Sequence, residues 1–241
     1  MTKLIIQIPC LNEAQTLGVC LEQIPRAYDG IDVVECLVVD DGSTDETVAV
    51  AKRYGVEHVV SLGSNKGLTR AFMAGVDYAL RAGADIIVNT DADNQYCGAD
   101  IQKLIDPVLG KQAEIVVGDR LNLDDHNRPF LSNILHQMSC YMVQKTSRFS
   151  TLDVSCGFRA ISRQAAMKIN VFHTHTLEMI LQAARQEISV ASVSVRTQTE
   201  LRPSRLVKRF SFYVRQMMVT IFHVMNAYQP FYLFFVLGSI L

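Results

Sequence analysis

Five apolar runs alternate with amphipathic segments over the first 120 residues, and this alternation constrains the fold more than any other feature of the sequence. The apolar runs are KLIIQIP, VVECLVVDD, EHVVSLG, DIIVNTD and AEIVVGDR. The first four are followed by NEAQTLGVCLEQI, STDETVAVAKRYG, LTRAFMAGVDYALRAG and ADIQKLIDPVLG, in which apolar residues recur at helical spacing. Strands that alternate with helices predict an α/β fold, with a mostly parallel central sheet and helices on both faces.

Capping signals mark where two of the predicted helices begin and end. Glu46 follows Ser43 by three residues, which is the spacing of a capping box at the start of the second helix. Gly55 and Gly83 follow the second and third helical segments, where glycine commonly terminates a helix. Because no internal repeat or low-complexity linker interrupts the pattern, we expect one domain followed by a C-terminal appendage.

The composition supports a packed domain and limits its partners. Of the 241 residues, 49% are hydrophobic and 20% are charged, which is typical of a globular core. The formal net charge of −1 gives no general attraction to nucleic acid, so we expect no nucleic-acid partner. The six cysteines form no C-x-x-C pair, which favours a reducing compartment over a zinc site or a disulfide framework. The N-terminal apolar run is too short and too polar for a signal peptide, so we expect the domain to be cytoplasmic.

Polar residues follow each of the first four predicted strands. Because ligands bind beyond the carboxyl ends of the strands in an open parallel sheet, these residues predict a polar cleft at one edge. Each segment taken alone is equally typical of a turn or a helix cap, and only their joint occurrence indicates a site. The residues in question are Pro9, Asn12 and Glu13, then Asp40, Asp41 and Ser43, then Asn65 and Lys66, and finally those of DADNQ.

The segment DADNQ places two carboxylates, Asp91 and Asp93, at the end of the fourth apolar run. In an extended backbone the two side chains point to the same side. Mg²⁺ or Mn²⁺ prefers a few carboxylate oxygens together with waters and substrate phosphates, which a nucleoside diphosphate would supply. The sequence has neither a Walker-type phosphate loop nor G-x-G-x-x-G, which argues against a kinase or a dehydrogenase.

The motifs IPCLNE, VVDDGSTD, NKG, DADNQ, GDR and DVSCGFR occur in the order and spacing of family 2 glycosyltransferases. Over about residues 3 to 210, the chain most closely resembles the polyprenyl-phosphate glycosyltransferases of the dolichyl-phosphate mannose synthase type. The resemblance implies the Rossmann-like GT-A fold, with a donor site that holds Mg²⁺ or Mn²⁺ on Asp91 and Asp93. It further implies that the nucleotide pocket is lined by Pro9, Leu11 and Glu13, and that Asp41 contacts the base or ribose. Gln95 and Arg120 would approach the sugar or phosphates, and Lys66 would belong to the same donor site.

The resemblance also implies the reaction: inverting single displacement of a sugar from a UDP- or GDP-linked donor to a dolichyl or undecaprenyl phosphate. A lipid phosphate is already an anion near neutral pH, so it needs positioning more than deprotonation. Arginine suits phosphate oxygens, and Arg159, Arg202 and Arg205 are the candidates for orienting the lipid phosphate. For Arg159, an ion pair with Asp153 that stiffens the loop is an equally supported prediction.

A hydroxyl acceptor, as in cell-envelope polysaccharide synthesis, would instead require a general base. Asp153 aligns with an acidic position that serves as the base in related enzymes. Glu178 is a second acidic candidate, although its position equally fits the first turn of a helix. His173 and His175 alternate as metal ligands do, but without a third ligand a surface loop is the favoured prediction.

The C-terminal part of the chain has a different character. From Gln216 to Leu241 there is no Asp, Glu, Lys or Arg, and basic residues precede this stretch without an acid after Glu200. A spanning helix needs about 20 apolar residues, so the last residues predict the first half of a membrane segment, beside the cytoplasmic face of the cell membrane or of an ER-equivalent membrane. The alternative is an amphipathic helix that packs on the domain. The predicted divisions are a GT-A domain over 1–206, an amphipathic juxtamembrane helix over 207–227 and a truncated membrane segment over 228–241.

One alternative of another class remains, a non-catalytic module that retains the fold and binds a nucleotide sugar or a lipid. Intact Asp41, Asp91, Asp93 and Arg120 favour an enzyme, because loss of a metal carboxylate is the simplest sign of an inactive site. The resemblance leaves room for a homo-oligomer packed through the membrane segments. The sequence specifies neither the sugar nor the base of the donor.

Overall fold

The computed structural model describes residues 1–120, 153, 156–172, 174–198 and 226. The strands are β1 (Lys3–Cys10), β2 (Val33–Asp40), β3 (His58–Ser61), β4 (Ile86–Asn89), β5 (Ile115–Asp119), β6 (Arg159–Ser162) and β7 (Val190–Ser194). The helices are α1 (Leu17–Gln23), α2 (Thr47–Arg53), α3 (Leu68–Arg81), α4 (Ile101–Leu109), α5 (Arg163–Lys168) and α6 (Leu177–Arg185), with a 3-10 turn at Gly98–Asp100. Each of the five predicted strands and four predicted helices is therefore present.

Within the described residues the strands form one sheet in the order β3-β2-β1-β4-β6-β5-β7. Strands β1, β2, β3 and β4 pair in parallel, as do β5 and β7, whereas β6 runs antiparallel to both β4 and β5. The prediction of a mostly parallel sheet in a mixed α/β fold is confirmed. Because β6 runs the opposite way, it brings Arg159, its first residue, to the edge at which the parallel strands end.

The centre of the sheet is covered on both faces. All residues of β1 from Leu4 to Cys10, and all four residues of β4, are buried. Side chains of a strand alternate between the two faces, so continuous burial requires a layer on each side. Gln7 in β1 and Asn89 in β4 are buried polar residues within these otherwise apolar central strands.

Helix α3 shows how the sequence pattern specifies this packing. Its buried residues fall on one stripe with helical period, while the opposite side carries an exposed ion pair between Asp77 and Arg81. The buried residues are Ala71, Phe72, Gly75, Val76 and Ala79. Beyond α3, Gly83 has a φ of 85°, and Gly55 after α2 has a φ of 68°, so the predicted glycine stops are confirmed.

The predicted capping box at Ser43 and Glu46 is wrong. Helix α2 begins at Thr47, and Asp45 Oδ1 accepts a hydrogen bond from the Thr47 N–H (3.0 Å). The Ser43 hydroxyl oxygen instead accepts a hydrogen bond from the backbone N–H of Asn12 (2.8 Å). Ser43 therefore joins two loops rather than capping a helix.

The predicted juxtamembrane and membrane segments, 207–227 and 228–241, lie outside the described ranges apart from one residue. The three-part division of the chain at 206 and 227 therefore stays a prediction. Among the helices that the structure describes, none combines the length and apolar character needed to cross a membrane.

Candidate active site

The loops that follow β1 and β2 are joined at the carboxyl edge of the sheet. Asn12, with a φ of 55°, accepts at its Oδ1 a hydrogen bond from the backbone N–H of Thr44 (2.8 Å). Asp45 Oδ2 accepts another from the backbone N–H of Ala14 (3.1 Å). These bonds, together with that between Asn12 and Ser43, fix the two loops as one rigid unit.

Of the residues predicted to line the nucleotide pocket, Pro9 and Glu13 are buried and Leu11 is half-buried. Pro9 is a residue of β1 and is paired in register with Val39. The carboxylate of Glu13 accepts a hydrogen bond from the Thr16 hydroxyl (2.9 Å). The structure therefore brings all three to the predicted edge, and Leu11 offers the most exposed surface among them.

Asp41 organises the loop that contains Lys66. Its Oδ1 accepts a hydrogen bond from the Lys66 N–H (2.7 Å), and its Oδ2 accepts one from the Gly67 N–H (2.9 Å). Gly42, with a φ of 79°, allows the close approach, since a Cβ there would lie 2.6 Å from the backbone nitrogen of Asn65. Asp41 thus holds the exposed Lys66 beside the site, and each carboxylate oxygen retains a lone pair for a ligand.

Asp91 and Asp93 follow β4 and are both half-buried. Burial, together with the carboxylates of Asp93 and Glu13, raises the pKa of Asp91 to about 7 against the opposing charge of Arg120. Asp93 Oδ1 accepts a hydrogen bond from the Gln95 N–H (3.0 Å), which turns the chain sharply after the pair. The site therefore concentrates negative charge where the sequence predicts a cation.

The donor set fits a divalent cation that shares its coordination with a substrate. Within the described residues, no group of three or more His, Cys, Asp and Glu side chains could hold a metal ion. Mg²⁺ or Mn²⁺ nevertheless commonly binds to only two carboxylates of a protein, because phosphates and waters supply the remaining oxygen ligands. The mutual repulsion of Asp91 and Asp93 would be relieved by such a cation.

Gln95, two residues after Asp93, lies in a loop that is fixed by hydrogen bonds of its backbone. Its carbonyl oxygen accepts a hydrogen bond from the Gln198 N–H (2.8 Å), and the adjacent Tyr96 forms a β-bridge with Thr197. The segment after β7 therefore returns to the site and supports the loop that contains Gln95.

Arg120 and Asp153 form an ion pair beside the carboxylates. Arg120 directly follows β5, and its Nε donates a hydrogen bond to Asp153 Oδ2 (2.7 Å). The Asp153 side chain is completely buried. An ion pair between Asp153 and Arg159 was one of two predictions for Arg159. The structure shows a hydrogen bond to Asp153 from Arg120, and the charge of Asp153 also acts against burial to raise the pKa of Arg159.

Arg159 occupies a position that favours a structural role over the predicted contact with a lipid phosphate. Its side chain is completely buried, and its Nε donates to the Cys156 carbonyl (2.7 Å) while its Nη1 donates to the Thr176 carbonyl (2.9 Å). Burial lowers its pKa to about 10, so it stays charged near neutral pH. Arg159 thereby joins the segment before β6 to the start of α6. The other two arginines predicted at the acceptor, Arg202 and Arg205, lie outside the described residues.

Glu178 lies in the first turn of α6, which confirms one of the two predictions for this residue. It is buried, and its Oε2 accepts hydrogen bonds from the backbone N–H groups of Phe172 (3.0 Å) and Thr174 (3.3 Å). Glu178 therefore fixes the loop before the helix, and these bonds do not suit a general base.

The prediction of a surface loop is wrong for His175. This residue is buried, and the centroid of its ring lies 5.2 Å from that of Phe72. Burial and the nearby positive charge of Arg159 together lower its pKa to about 3. The side chain is therefore a neutral core residue. His173 lies outside the described residues.

Comparison with known proteins identifies the family. The family model described as glycosyl transferase family 2 matches residues 5–169, more than half of the chain. The polyprenol monophosphomannose synthase of Mycolicibacterium smegmatis is 27% identical over 216 residues, with 84% of this chain and 80% of that protein covered. A UDP-N-acetylglucosamine–dolichyl-phosphate N-acetylglucosaminyltransferase of Methanococcus voltae is 26% identical over 215 residues, with 79% and 83% covered.

Among solved structures, the fold is similar to that of glucosyl-3-phosphoglycerate synthase from Mycobacterium tuberculosis in complex with Mn²⁺, UDP and phosphoglyceric acid. The TM-score is 0.69 at 20% sequence identity, and 92% of this chain and 78% of that chain are covered. At this identity the likeness concerns the fold, which is GT-A-like. Taken with the family match and the two enzymes that are similar over most of their length, it leads to one conclusion: this chain is a glycosyltransferase and belongs to glycosyl transferase family 2.

Proposed function

We propose that this enzyme transfers a sugar, with inversion, from a UDP- or GDP-linked donor to a polyprenyl phosphate at the cytoplasmic face of a membrane. The proposal includes dependence on Mg²⁺ or Mn²⁺. The observation that carries it is the crowding of Asp91 and Asp93 after β4, where burial and like charge raise the pKa of Asp91 to about 7. A carboxylate pair under such strain binds a divalent cation favourably, and a nucleoside diphosphate completes the coordination.

The chemistry follows from the charges that develop in the reaction. Cleavage of the bond between sugar and phosphate leaves negative charge on the nucleoside diphosphate, and a cation held by Asp91 and Asp93 supplies Lewis-acid stabilisation of that charge. Lys66, exposed on the loop that Asp41 fixes, places a second positive charge at the donor side. Arg120 contributes a third, and its ion pair with Asp153 fixes its direction.

The environment of Asp153 favours an anionic acceptor over a hydroxyl acceptor. A general base must present its carboxylate to the proton that it removes. Asp153 is instead completely buried, with Oδ2 occupied by the Arg120 Nε–H. A lipid phosphate needs no deprotonation. Of the two relatives named above, one is described as a polyprenol monophosphomannose synthase and the other as a dolichyl-phosphate N-acetylglucosaminyltransferase.

The sequence after the domain supports a membrane location. Arg202 and Arg205 precede a stretch from Gln216 to Leu241 without ionisable Asp, Glu, Lys or Arg side chains. Basic residues beside an apolar segment attract an anionic leaflet and place a lipid phosphate near the site. We assign Arg202 and Arg205 to this acceptor side as part of the proposal.

A transfer assay with separated acceptors tests the proposal. Full-length protein is mixed with vesicles that contain polyprenyl phosphate, and separately with polyprenol or soluble sugars, in Mn²⁺ or EDTA. The donors are radiolabelled UDP-glucose, UDP-N-acetylglucosamine and GDP-mannose. We expect label in the lipid fraction with one nucleotide class, only with polyprenyl phosphate and only with metal.

The variant Asp93→Ala is expected to abolish this transfer. Asp77→Ala is the matched control, because Asp77 is an exposed carboxylate on α3 that pairs with Arg81, away from the predicted site. Transfer to a hydroxyl but not to polyprenyl phosphate would contradict the acceptor class. Undiminished transfer in EDTA would contradict the metal dependence.

A further inference from the structure

A chain of buried amide groups runs from the centre of the sheet to the predicted metal site. Gln7 in β1 and Asn89 at the end of β4 lie side by side in register, and both are buried. Gln7 Nε2 donates a hydrogen bond to Asn89 Oδ1 (3.0 Å), and Asn89 Nδ2 donates one to the Gly157 carbonyl oxygen (2.8 Å). Two central strands are thus bonded through side chains to the segment before β6.

Gly157 in turn lies directly against the carboxylate of Asp91. A Cβ on Gly157 would be 3.1 Å from Asp91 Oδ2 and 3.3 Å from Oδ1, closer than such atoms ordinarily approach. The backbone at Gly157 therefore limits the orientations that the Asp91 side chain can adopt. Because Asn89 donates a hydrogen bond to the Gly157 carbonyl oxygen, it is one of the groups that fix where this backbone lies.

Packing alone does not explain the amide chain. The other residues of β4 are apolar and buried, and Gln7 Oε1 has no hydrogen-bond partner among the described residues. An unsatisfied buried carbonyl destabilises a fold. Helix α3 also carries Gly75 in its interior, where a Cβ would clash with Gln7 Oε1. Gln7 is thus accompanied by an unsatisfied buried oxygen and by a glycine in a helix interior. An apolar residue of similar size at position 7 would avoid the unsatisfied oxygen.

We propose that Gln7 and Asn89 are positioning residues for the metal site, and this inference rests on the metal dependence in the proposed function. They hold Gly157 against Asp91 and so fix the direction in which that carboxylate presents its oxygens to the cation. Gln7 acts through Asn89, because its amide fixes which way the Asn89 side-chain amide faces. Neither residue contacts the substrate.

Groups that orient a metal ligand also influence metal affinity, and their loss typically weakens metal binding about 10-fold to 100-fold. Asn89→Leu keeps the approximate size of the side chain and removes both hydrogen bonds. Gln7→Met removes the donor to Asn89 and also the unpaired oxygen. Gly157→Ala leaves the amide chain in place and pushes a methyl group against Asp91.

The test is the affinity for Mn²⁺ alone, measured on the full-length protein by electron paramagnetic resonance of the free ion. We expect Asn89→Leu and Gly157→Ala to weaken it about 10-fold or more, and Gln7→Met to weaken it less. Gln7→Met is expected to add nothing to Asn89→Leu, because its effect passes through Asn89. Gly110→Ala is the control, since Gly110 ends α4 with a φ of −73° and its Cβ would lie 3.3 Å from the Asp106 carbonyl.

Thermal unfolding of each variant separates this role from a loss of stability. We expect the melting temperature of Gln7→Met to change little, because loss of the unpaired Gln7 Oε1 offsets loss of the donor to Asn89 Oδ1, while its Mn²⁺ affinity falls. A purely structural residue would not show this separation. Unchanged Mn²⁺ affinity in folded Asn89→Leu and Gly157→Ala would overturn the inference. If Asn89→Leu does not fold, Gly157→Ala and Gln7→Met decide the question. Failure of the unaltered protein to bind Mn²⁺ would instead overturn the metal dependence in the proposed function.

Discussion

The Nε of Arg120 donates a 2.7 Å hydrogen bond to Oδ2 of Asp153, whose side chain is completely buried. The pair lies beside the carboxylates that follow β4, since the charge of Arg120 lowers the pKa of Asp91 against the effects of burial and of Asp93. Asp153 therefore orients the guanidinium group of Arg120 at the site. In the proposed function, this arrangement favours an enzyme that positions a phosphate acceptor over one that deprotonates a hydroxyl.

Replacement of Asp153 tests that distinction. Asp153→Asn keeps an oxygen that accepts from Arg120 but removes the charge, so we expect reduced yet measurable transfer to polyprenyl phosphate. Removal of a general base would reduce the rate about 100-fold to 10 000-fold. The measurement is kcat with the phosphate acceptor beside that with a hydroxyl acceptor, with Asp77→Asn as the control. Loss of this size with the phosphate acceptor would indicate that Asp153 is a base after all.

Arg159 is expected to stabilise the fold. Arg159→Met deprives the carbonyls of Cys156 and Thr176 of charged donors, and each buried group left unsatisfied costs about 1–3 kcal/mol. We expect the free energy of unfolding in denaturant to fall by about 2–6 kcal/mol.

The matched control is Arg163→Met. Arg163 Nη1 also donates to two carbonyls, those of Leu80 (3.1 Å) and Ala84 (2.8 Å), but this side chain is half-buried, so water can replace it. An equal effect of the two substitutions would contradict the role assigned to the buried guanidinium.

His175 predicts a dependence of stability on pH. In the unfolded chain His175 takes up a proton near its ordinary pKa of 6.5, whereas in the folded protein burial lowers the pKa of this side chain to about 3. Between these values the unfolded state binds more protons, so the free energy of unfolding falls as the pH falls, by up to about 1.4 kcal/mol per pH unit. We expect His175→Gln to flatten this slope in denaturant titrations between pH 7 and pH 5. An unaltered slope would show that His175 is not the group responsible.

Gly75→Ala tests the close packing of α3 on β1. Alanine in a helix interior normally stabilises by about 1 kcal/mol relative to glycine. Here the new methyl group would clash with Gln7 Oε1 and lie 2.9 Å from Val39 Cγ2, and overpacking of a core costs about 1–3 kcal/mol. We expect a net loss of stability, measured by thermal unfolding, that Gln7→Ala partly reverses in the double variant. Additive effects of the two substitutions would contradict the contact.

The sequence predicted the elements whose signal is local. Strands β1 to β5 lie in largely apolar runs, and the polar residues that follow the first four meet at one edge because parallel strands end together. Strands β6 and β7 were not predicted, since RAIS begins with a charged residue and VASVS is short and mostly half-buried. Both depend on pairing with β5, which is distant in the sequence.

Residue roles that depend on tertiary partners were harder to predict. For Asp153 the sequence offered Arg159, six positions away, as one ion-pair partner, but it did not indicate the ion pair with Arg120, which lies beyond a long intervening segment. His175 was expected in a surface loop because it alternates with His173 without a third metal ligand, a pattern that carries no signal of burial. Gln7 and Asn89 did carry a signal, as polar residues within apolar runs, but their shared hydrogen bond required the register of β1 and β4.

Calorimetric titration of the protein with UDP and with GDP, each with and without Mn²⁺, tests the donor site most directly. Asp93→Ala and the surface control Asp77→Ala are titrated in parallel. We expect one of the two nucleotides to bind only with Mn²⁺, with binding lost in Asp93→Ala and retained in Asp77→Ala. Binding of neither nucleotide, or equal binding without metal and in Asp93→Ala, would contradict a metal-assisted donor site at Asp91 and Asp93.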